Sequence, residues 1–251
     1  MSNLGSRIVE FSTDDIPERE RAAFWREHYG QVMLRVDFEP APDVTFKARN
    51  RALTLSGLQL LDASATPARI SRSGRFLADG ADNVILAINR KGGAFVESAG
   101  RSSELREGEA VILSGAEPGA FHRTTTGRSF TLLVPRIMIE SAVVSVDDAI
   151  MRPMPANQGA LQLLDHYATW LLESGGAIDP QLCNLSVRHI QDLLALSIGP
   201  ADDLAETIRA RGLRAARLKL AKSFLVANSR RRDISIAAIA ERPNEGSGIS
   251  P

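Results

Sequence analysis

The spacing of apolar residues changes once along this chain, near Pro135, and that change restricts the folds the chain can adopt. From residue 31 to about residue 134, seven short segments alternate between apolar and polar residues, from VMLRVDF at 32–38 to SFTLLVP at 129–135. Gly, Asp, Asn and Pro separate them, and a period of two is typical of half-buried strands. Because no helical segment interrupts the series, we predict an antiparallel sandwich or small barrel of jelly-roll kind.

After Pro135 the apolar residues take helical spacing. Two helices joined by a Gly-containing turn are predicted over residues 157–176 and 180–199, and an earlier surface helix over residues 12–30, so the fold class is α+β. We expect the paired helices to present more apolar surface than the strands cover, and a homodimer interface would bury the excess. The predicted dimer contacts are Leu161, Leu164, Leu171, Leu182, Leu185 and Leu193.

The basic residues are concentrated in one segment. Residues 209–232 hold nine of the 30 Lys and Arg residues and none of the 30 Asp and Glu residues, so the rest of the chain has 21 basic residues against 30 acidic ones. A basic segment of this kind attracts phosphates through counterion release. A solvated helix face would have the same composition, and charge alone does not separate the two interpretations.

Several functional classes find no support in the sequence. The N-terminus lacks the apolar core of a secretory signal, and no apolar run approaches the length of a membrane span, so we expect a cytoplasmic protein without a membrane partner. The single cysteine, Cys183, cannot form an internal disulfide and is expected to be buried. Neither a phosphate-binding glycine loop nor a nucleophile motif is present, so we predict no catalytic residue and no cofactor.

The histidines bear on whether the predicted barrel is an enzyme. Cupin enzymes, whose fold the strand pattern suggests, usually hold a metal with a His-x-His pair, a Glu and a later His. This chain echoes only the second half of that pattern, with Glu109 and His122. We therefore predict no metal site, and a cupin-fold enzyme remains an alternative that a metal analysis would test.

A ligand pocket is expected inside the strand region. Alternation shows that every second residue points inward, but the register cannot be fixed within one residue. We therefore predict ligand contacts at three consecutive positions, Phe121, His122 and Arg123, where the Arg or the His would meet an anionic ligand.

The C-terminal residues carry a family resemblance. Residues 216–242, ARLKLAKSFLVANSRRRDISIAAIAER, predict a helix, a basic linker and a short helix N-capped by Ser235, and they resemble the start of the DNA-binding region of AraC-type (AraC/XylS family) transcription regulators. Residues 11–30, 104–122 and 147–155 resemble the N-terminal cupin-like effector domain of the same regulators, so the resemblance covers most of the chain. It implies a transcription regulator that senses a small molecule or dimerises through this domain and binds DNA through two helix-turn-helix motifs.

The resemblance implies three segments: a cupin-like effector domain with its N-terminal helix at 1–135, a helical connector or dimerisation hairpin with its linker at 136–203, and an incomplete helix-turn-helix region at 204–251. In the family a short turn and a Pro open the recognition helix, and GISP at 248–251 has that form. Its Pro follows the preceding helix after about nine residues instead of the expected three or four. We therefore expect the recognition helix and second motif to be missing, so that only phosphate attraction is kept and specific DNA binding belongs to a full-length form. The residues predicted to contact DNA or support the motif are Arg217, Lys219, Lys222, Arg230, Arg231, Arg232, Ser235 and Ser250.

A second interpretation keeps the cupin-like fold without DNA binding. In that case the chain is a dimerisation or ligand-binding module, for example one that pairs with an intact regulator and disables it. Coexpression with such a regulator would test this alternative, because unchanged operator occupancy would count against it.

Overall fold

The computed structural model describes residues 6–174 and 179–199. Within these residues eleven strands form two antiparallel sheets. The strands are β1 (Arg7–Ser12), β2 (Asp37–Pro40), β3 (Ala48–Leu55), β4 (Leu58–Ala65), β5 (Ala68–Arg72), β6 (Asn83–Lys91), β7 (Ala94–Ser98), β8 (Arg101–Leu105), β9 (Ala110–Ser114), β10 (Gly119–Arg123) and β11 (Gly127–Pro135).

The two sheets face each other as a sandwich. One has six strands in the order β1-β3-β4-β11-β6-β9, and the other has five in the order β2-β5-β10-β7-β8. Among these strands the chain changes sheet at every step except β3 to β4 and β7 to β8, which is how a jelly roll distributes consecutive strands. The predicted α+β class with an antiparallel, cupin-like strand region is confirmed, and its form is two open sheets rather than a closed barrel.

The N-terminal helical segment differs from the prediction. Helix α1 (Glu18–Trp25) continues directly into a π-helix at Arg26–Leu34, so the strand predicted from residue 32 is wrong and β2 begins only at Asp37. Trp25 and Tyr29 are buried with their rings stacked 4.8 Å apart. Together with Met33 they have the spacing of four residues that places side chains on one helix face, and burial of this face outweighs the short alternation at 32–38.

The remaining helices follow the strand region. Helix α2 (Gly74–Leu77) is a single turn between β5 and β6, whereas α3 (Gly159–Glu173) and α4 (Pro180–Ile198) form the predicted antiparallel pair. The side chain of Asp179 accepts hydrogen bonds from the N–H groups of the first turn of α4 and so fixes where that helix begins. Between β11 and α3 the chain forms three short 3-10 turns.

Helices α3 and α4 cover the outer face of the six-stranded sheet. One hydrophobic cluster joins outward residues of the sheet, such as Leu60 and Leu132, to the buried sides of both helices. A second cluster, around Trp25, Phe38 and Phe46, lies on the opposite face of the same sheet, between the two sheets. The six-stranded sheet is therefore covered on both faces.

This packing corrects the predicted dimer surface. The six predicted contacts do not share an exposed face: Leu182 is half-buried, Leu185 is exposed, and four are buried in the core of the chain itself, namely Leu161, Leu164, Leu171 and Leu193. The sheet offers more area to the helices than strand count alone suggests, because its outer face is apolar along β3, β4, β6 and β11. The four buried leucines are thus not available to a second copy. Over residues 6–174 and 179–199, no helix combines the length and apolar character needed to cross a membrane.

Candidate functional site

A cavity of about 290 Å³ lies between the two sheets. Residues of β4, β6, β9 and β11 line it on one side and residues of β5 and β10 on the other, while the π-helix contributes Tyr29 and Met33. Its apolar lining includes Ile70, Ile85 and Leu133. The volume is near the lower end of the range for small-molecule sites, about 300 to 1,000 Å³, so a ligand here would be compact.

Strand alternation brings polar side chains to this cavity. Along β11, Phe130 and Leu132 point to the helices. The residues that alternate with them, Ser129 and Thr131, therefore point between the sheets. Gln59 reaches the cavity for the same reason, because its neighbours Leu58 and Leu60 on β4 pack against the helices. One face of these strands is therefore an apolar core and the other a mixed polar and apolar cavity wall.

Arg72 holds together the outer end of the cavity. Its guanidinium lies 2.7 Å from Asp79 Oδ1 and donates to the backbone carbonyl oxygens of Gly115, Arg35 and Phe76 at 2.6, 3.1 and 3.2 Å. The pKa of Asp79 is lowered, first by the hydrogen bond it accepts from the Ala81 N–H at 2.8 Å and then by Arg72 and Arg35. Each of the three guanidinium nitrogens of Arg72 thus donates a hydrogen bond within the protein, so this residue shapes the entrance.

Tyr29 lines the buried end of the cavity, and Arg123, at the opposite end of β10 from the entrance, lies behind this lining in contact with Ser129 and Phe121. Arg123 is 5% exposed, and Nη2 donates to Ser129 Oγ at 2.8 Å. Burial lowers the pKa of Arg123, and the nearby Tyr29 opposes this shift. Burial also raises the pKa of Tyr29 to about 12, although Arg123 acts in the opposite direction, so the phenol is neutral and available as a donor.

Two polar groups at the cavity lack hydrogen-bond partners within the part of the chain that the structure describes. Glu117 lines the entrance, and its Oε2 is buried without a hydrogen-bond partner. The hydroxyl of Tyr29 likewise has no hydrogen-bond partner among the residues the structure describes. A buried polar group without a partner lowers stability, and a ligand or water that reached it would remove that penalty.

The structure resolves the register that the sequence left open at the three predicted ligand residues. Phe121 lines the cavity, and the Arg123 guanidinium lies 5.9 Å from the Phe121 ring centre, beside the cavity wall. His122 is on the opposite face of β10, where Nε2 is 3.0 Å from Glu97 Oε2 and the ring lies 5.3 Å from that of Phe95. The prediction for His122 as a cavity residue is therefore wrong, because alternate residues of a strand face opposite ways.

Sequence reasoning missed most of the polar lining. Ser129, Thr131 and Gln59 were not named, because alternation with apolar neighbours separates two faces of a strand without showing what covers each. A signal was present in the paired helices: once they cover the apolar face of the sheet, the polar face of the same strands must lie between the sheets. Tyr29 had no comparable signal, since its position depends on the π-helix.

The residues that echo the cupin metal pattern are not brought together as ligands. Glu109 Oε2 accepts a hydrogen bond from the Arg106 N–H at 2.9 Å, while His122 pairs with Glu97 on the outer face of the five-stranded sheet. Among residues 6–174 and 179–199, no group of three His, Cys, Asp or Glu side chains has the arrangement to hold a metal ion. Cys183 is buried, as expected, with Sγ 3.7 Å from Ser56 Oγ.

The residues predicted to contact DNA or support the motif lie outside the described residues. These are Arg217, Lys219, Lys222, Arg230, Arg231, Arg232, Ser235 and Ser250. Their roles stay predictions.

Comparison with known proteins agrees with the fold. Residues 25–198 match the model of the AraC-binding-like domain family. An uncharacterized protein in the nit 5′ region of Bacillus sp. strain OxB-1 is 24% identical over 132 residues, which are 52% of this chain and 51% of that protein. The match spans about half the length of this curated relative.

Two solved structures complete the comparison. The AraC-like transcriptional activator CuxR has a TM-score of 0.62 at 21% identity, covering 92% of this chain and 83% of its own, and at this identity the likeness shows the fold. An RmlC-like cupin of Shewanella frigidimarina covers 40% of this chain and 85% of its own at 12% identity, but its TM-score of 0.30 supports no argument.

Proposed function

Because this chain belongs to the AraC-binding-like domain family, we propose that it is a transcription regulator whose two-sheet domain binds a small-molecule effector. The cavity between the sheets carries this proposal. It combines an apolar lining with polar groups that have no partner in the described protein, Glu117 Oε2 and the Tyr29 hydroxyl. A cavity kept for packing alone would be apolar, whereas an apolar pocket with a few placed polar groups is typical of ligand sites.

The same strands connect the cavity with the helical pair. Thr131 faces the cavity while its neighbours Phe130 and Leu132 pack toward α3 and α4. Arg90, on β6, crosses to α3, where Nε donates to Asp165 Oδ1 at 2.8 Å and Nη2 donates to Thr169 Oγ1 at 2.6 Å. We infer that ligand binding acts on the helices through this sheet, which requires a ligand that favours one arrangement of the sheet over another.

A thermal-shift screen with a cavity-blocking variant tests effector binding. Ala87 lines the cavity and pairs with Thr131, so Ala87→Phe would fill part of the volume. We expect compounds from a metabolite library to raise the melting temperature of the wild-type chain but not of Ala87→Phe. The matched control is Ala23→Phe, on the exposed side of α1. A library that shifts neither protein, or shifts wild type and Ala87→Phe equally, would contradict the proposal.

We propose DNA as the second partner, through the basic residues 209–232. Nine cations without an acidic residue attract the phosphate backbone, and such binding weakens with salt in proportion to the phosphates contacted. Replacing Arg230, Arg231 and Arg232 by Ala should lower the slope of log affinity against log salt by about three. Fluorescence anisotropy with a labelled duplex measures it. The control replaces three exposed arginines, Arg19, Arg49 and Arg101, and an equal drop in both proteins would show that the segment has no special role.

A homodimer remains part of the proposal, on a smaller surface than the sequence predicted. Leu182 is half-buried and Leu185 is exposed, both on α4. If this helix side contacts a second copy, Leu185→Glu should shift the mass measured by light scattering from dimer to monomer. An unchanged mass would remove Leu185 from the interface.

A further inference from the structure

Among residues 6–174 and 179–199, the most deeply buried arginine side chains are paired with carboxylates, except for one. Arg90 lies 3.1 Å from Asp62 and also contacts Asp165, and Arg72 lies 2.7 Å from Asp79; both side chains are 11% exposed. Arg123 is at least as buried, yet within the described residues it forms no ion pair, and Ser129 supplies its hydrogen bond. An unpaired buried charge is unfavourable, so its retention calls for a specific partner.

The position of Arg123 indicates where that partner would lie. All the contacts recorded for its guanidinium involve residues of the cavity lining: Ser129 through the hydrogen bond, Phe121 at 5.9 Å, and Tyr29 through their electrostatic interaction. The Tyr29 hydroxyl, which has no hydrogen-bond partner among the described residues, supplies a second donor at the same end. A planar anion that accepts from both groups would complete this end of the cavity.

We propose that the cavity binds a monocarboxylate with an apolar body, its carboxylate at Arg123 and Tyr29. The inference rests on the proposed function, because it specifies the chemical class of the effector that the cavity takes. The guanidinium fork matches a carboxylate in geometry and charge. Ile70, Ile85 and Leu133 then surround the apolar body of the ligand.

The other charges at the cavity limit the ligand to one negative charge. At the entrance, Arg35 and Arg72 are both paired with Asp79, so neither is free to neutralise a second anionic group. Glu117 has a buried oxygen with no hydrogen-bond partner among the described residues, and its charge would repel a second anionic group. A dicarboxylate or a phosphate dianion would leave charge uncompensated in a cavity of this size, whereas a neutral or hydrogen-bond-donating far end would not.

Matched acids and amides test the proposal directly. The probes are hexanoate, octanoate and 3-phenylpropionate, with the primary amide of each acid, measured against the full chain by isothermal titration calorimetry. We expect at least one acid to bind roughly ten- to a hundredfold more tightly than its amide, as for hydrogen bonds to charged groups. Equal affinities for acid and amide would overturn the proposal, and so would tighter binding of the amide.

Arg123→Met separates recognition from packing. It removes the charge while keeping an unbranched side chain, so we expect acid binding to fall to the level of the amide. If the unpaired charge is held for a ligand, the free variant should melt at or above the wild-type temperature. A lower melting temperature combined with unchanged acid affinity would assign Arg123 a structural role instead. The control is Arg69→Met, on the outer face of β5, since Arg69 also donates to a serine hydroxyl, Ser71, at 3.0 Å.

A second variant keeps the test decisive if Arg123→Met does not fold. Tyr29→Phe retains the ring that packs on Trp25 and removes only the hydroxyl. We expect it to weaken acid binding several-fold and to leave amide binding unchanged; equal loss for both would contradict the donor role.

Failure of the carboxylate proposal is distinguishable from failure of effector binding. If the metabolite screen finds only neutral or cationic compounds whose effect Ala87→Phe abolishes, the effector site stands and the carboxylate proposal is wrong. If no compound in the screen and none of the three acids binds, both are wrong.

Discussion

The two faces of the six-stranded sheet differ in what they contact: one packs against the helices and the other lines the cavity. Toward α3 and α4 it presents Leu60, Phe130 and Leu132, fully buried in one continuous cluster. Toward the five-stranded sheet the same strands present Gln59 and Thr131, which line the cavity. The difference shows that a packed core and a cavity lining can be placed on alternate residues of one strand, so that a change at one position need not affect the other.

Truncating the helix face should have the largest effect. Leu132→Ala removes a fully buried side chain between the sheet and the helices, and we expect it to lower the free energy of unfolding by about 2–5 kcal/mol. Urea-induced unfolding measures the loss. A cost below about 1 kcal/mol would show that the helices pack loosely on the sheet and would remove the contrast between the two faces.

The buried hydroxyl network on the helix face should give the next largest effect. Tyr167 Oη donates to Ser186 Oγ at 3.0 Å and lies 3.2 Å from His189 Nδ1, and burial raises its pKa. Tyr167→Phe leaves these groups with one partner fewer, so it should cost about 1–3 kcal/mol. Tyr29→Phe on the cavity side is the comparison, and in the free protein we expect it to cost less. Equal costs in urea unfolding would argue against the contrast.

Acidification should affect the helix face through His189. Burial, with a smaller contribution from Arg188, lowers the pKa of His189 below its ordinary value of about 6.5. The unfolded chain therefore binds the proton more readily, and the stability contributed by neutral His189 is present above pH 6.5 and lost as the pH falls through the folded value. Unfolding at pH 7.5 and 5.5 should show a larger loss for wild type than for His189→Gln. Parallel losses would exclude His189 as the group responsible.

The smallest effect should come from the cavity face. Thr131→Val replaces a cavity-facing hydroxyl by a methyl group of similar size, and we expect the free energy of unfolding to change by less than about 1 kcal/mol in the free protein. Ligand affinity, measured with any compound found in the metabolite screen, should change more than stability does. A cost as large as that of Leu132→Ala would mean that the two faces are equally structural.

This arrangement also explains what the sequence predicted and what it did not. Period-two alternation at 129–135 and at 83–89 correctly indicated strands, and helical spacing correctly indicated α3 and α4. Strands β1 (RIVEFS) and β8 (RSSEL) were missed, because their sequences hold too few apolar residues to show the period. Both are edge strands, where solvent relieves the need for an apolar face.

The site was harder to predict than the fold for a related reason. Alternation identifies two faces but does not say what covers each, so Thr131 was not named and His122 was predicted as a ligand contact beside Phe121 and Arg123. Arg123 was named, but the observation that marks it, a buried charge without a carboxylate, exists only in three dimensions. Arg90 pairs with Asp62 and Asp165, which lie in two other segments of the chain. Which arginines have carboxylate partners therefore cannot be predicted from neighbouring residues in the sequence.

The π-helix at Arg26–Leu34 has a consequence for the rate at which a ligand leaves. Tyr29 contacts the buried end of the cavity from a helical segment whose hydrogen bonds follow a rare and less stable pattern than those of an α-helix. We expect this segment to exchange its amide protons with solvent faster than the strands around it. The residence time of a bound molecule would then be set by the opening of one short helix, while the sheets on either side stay closed.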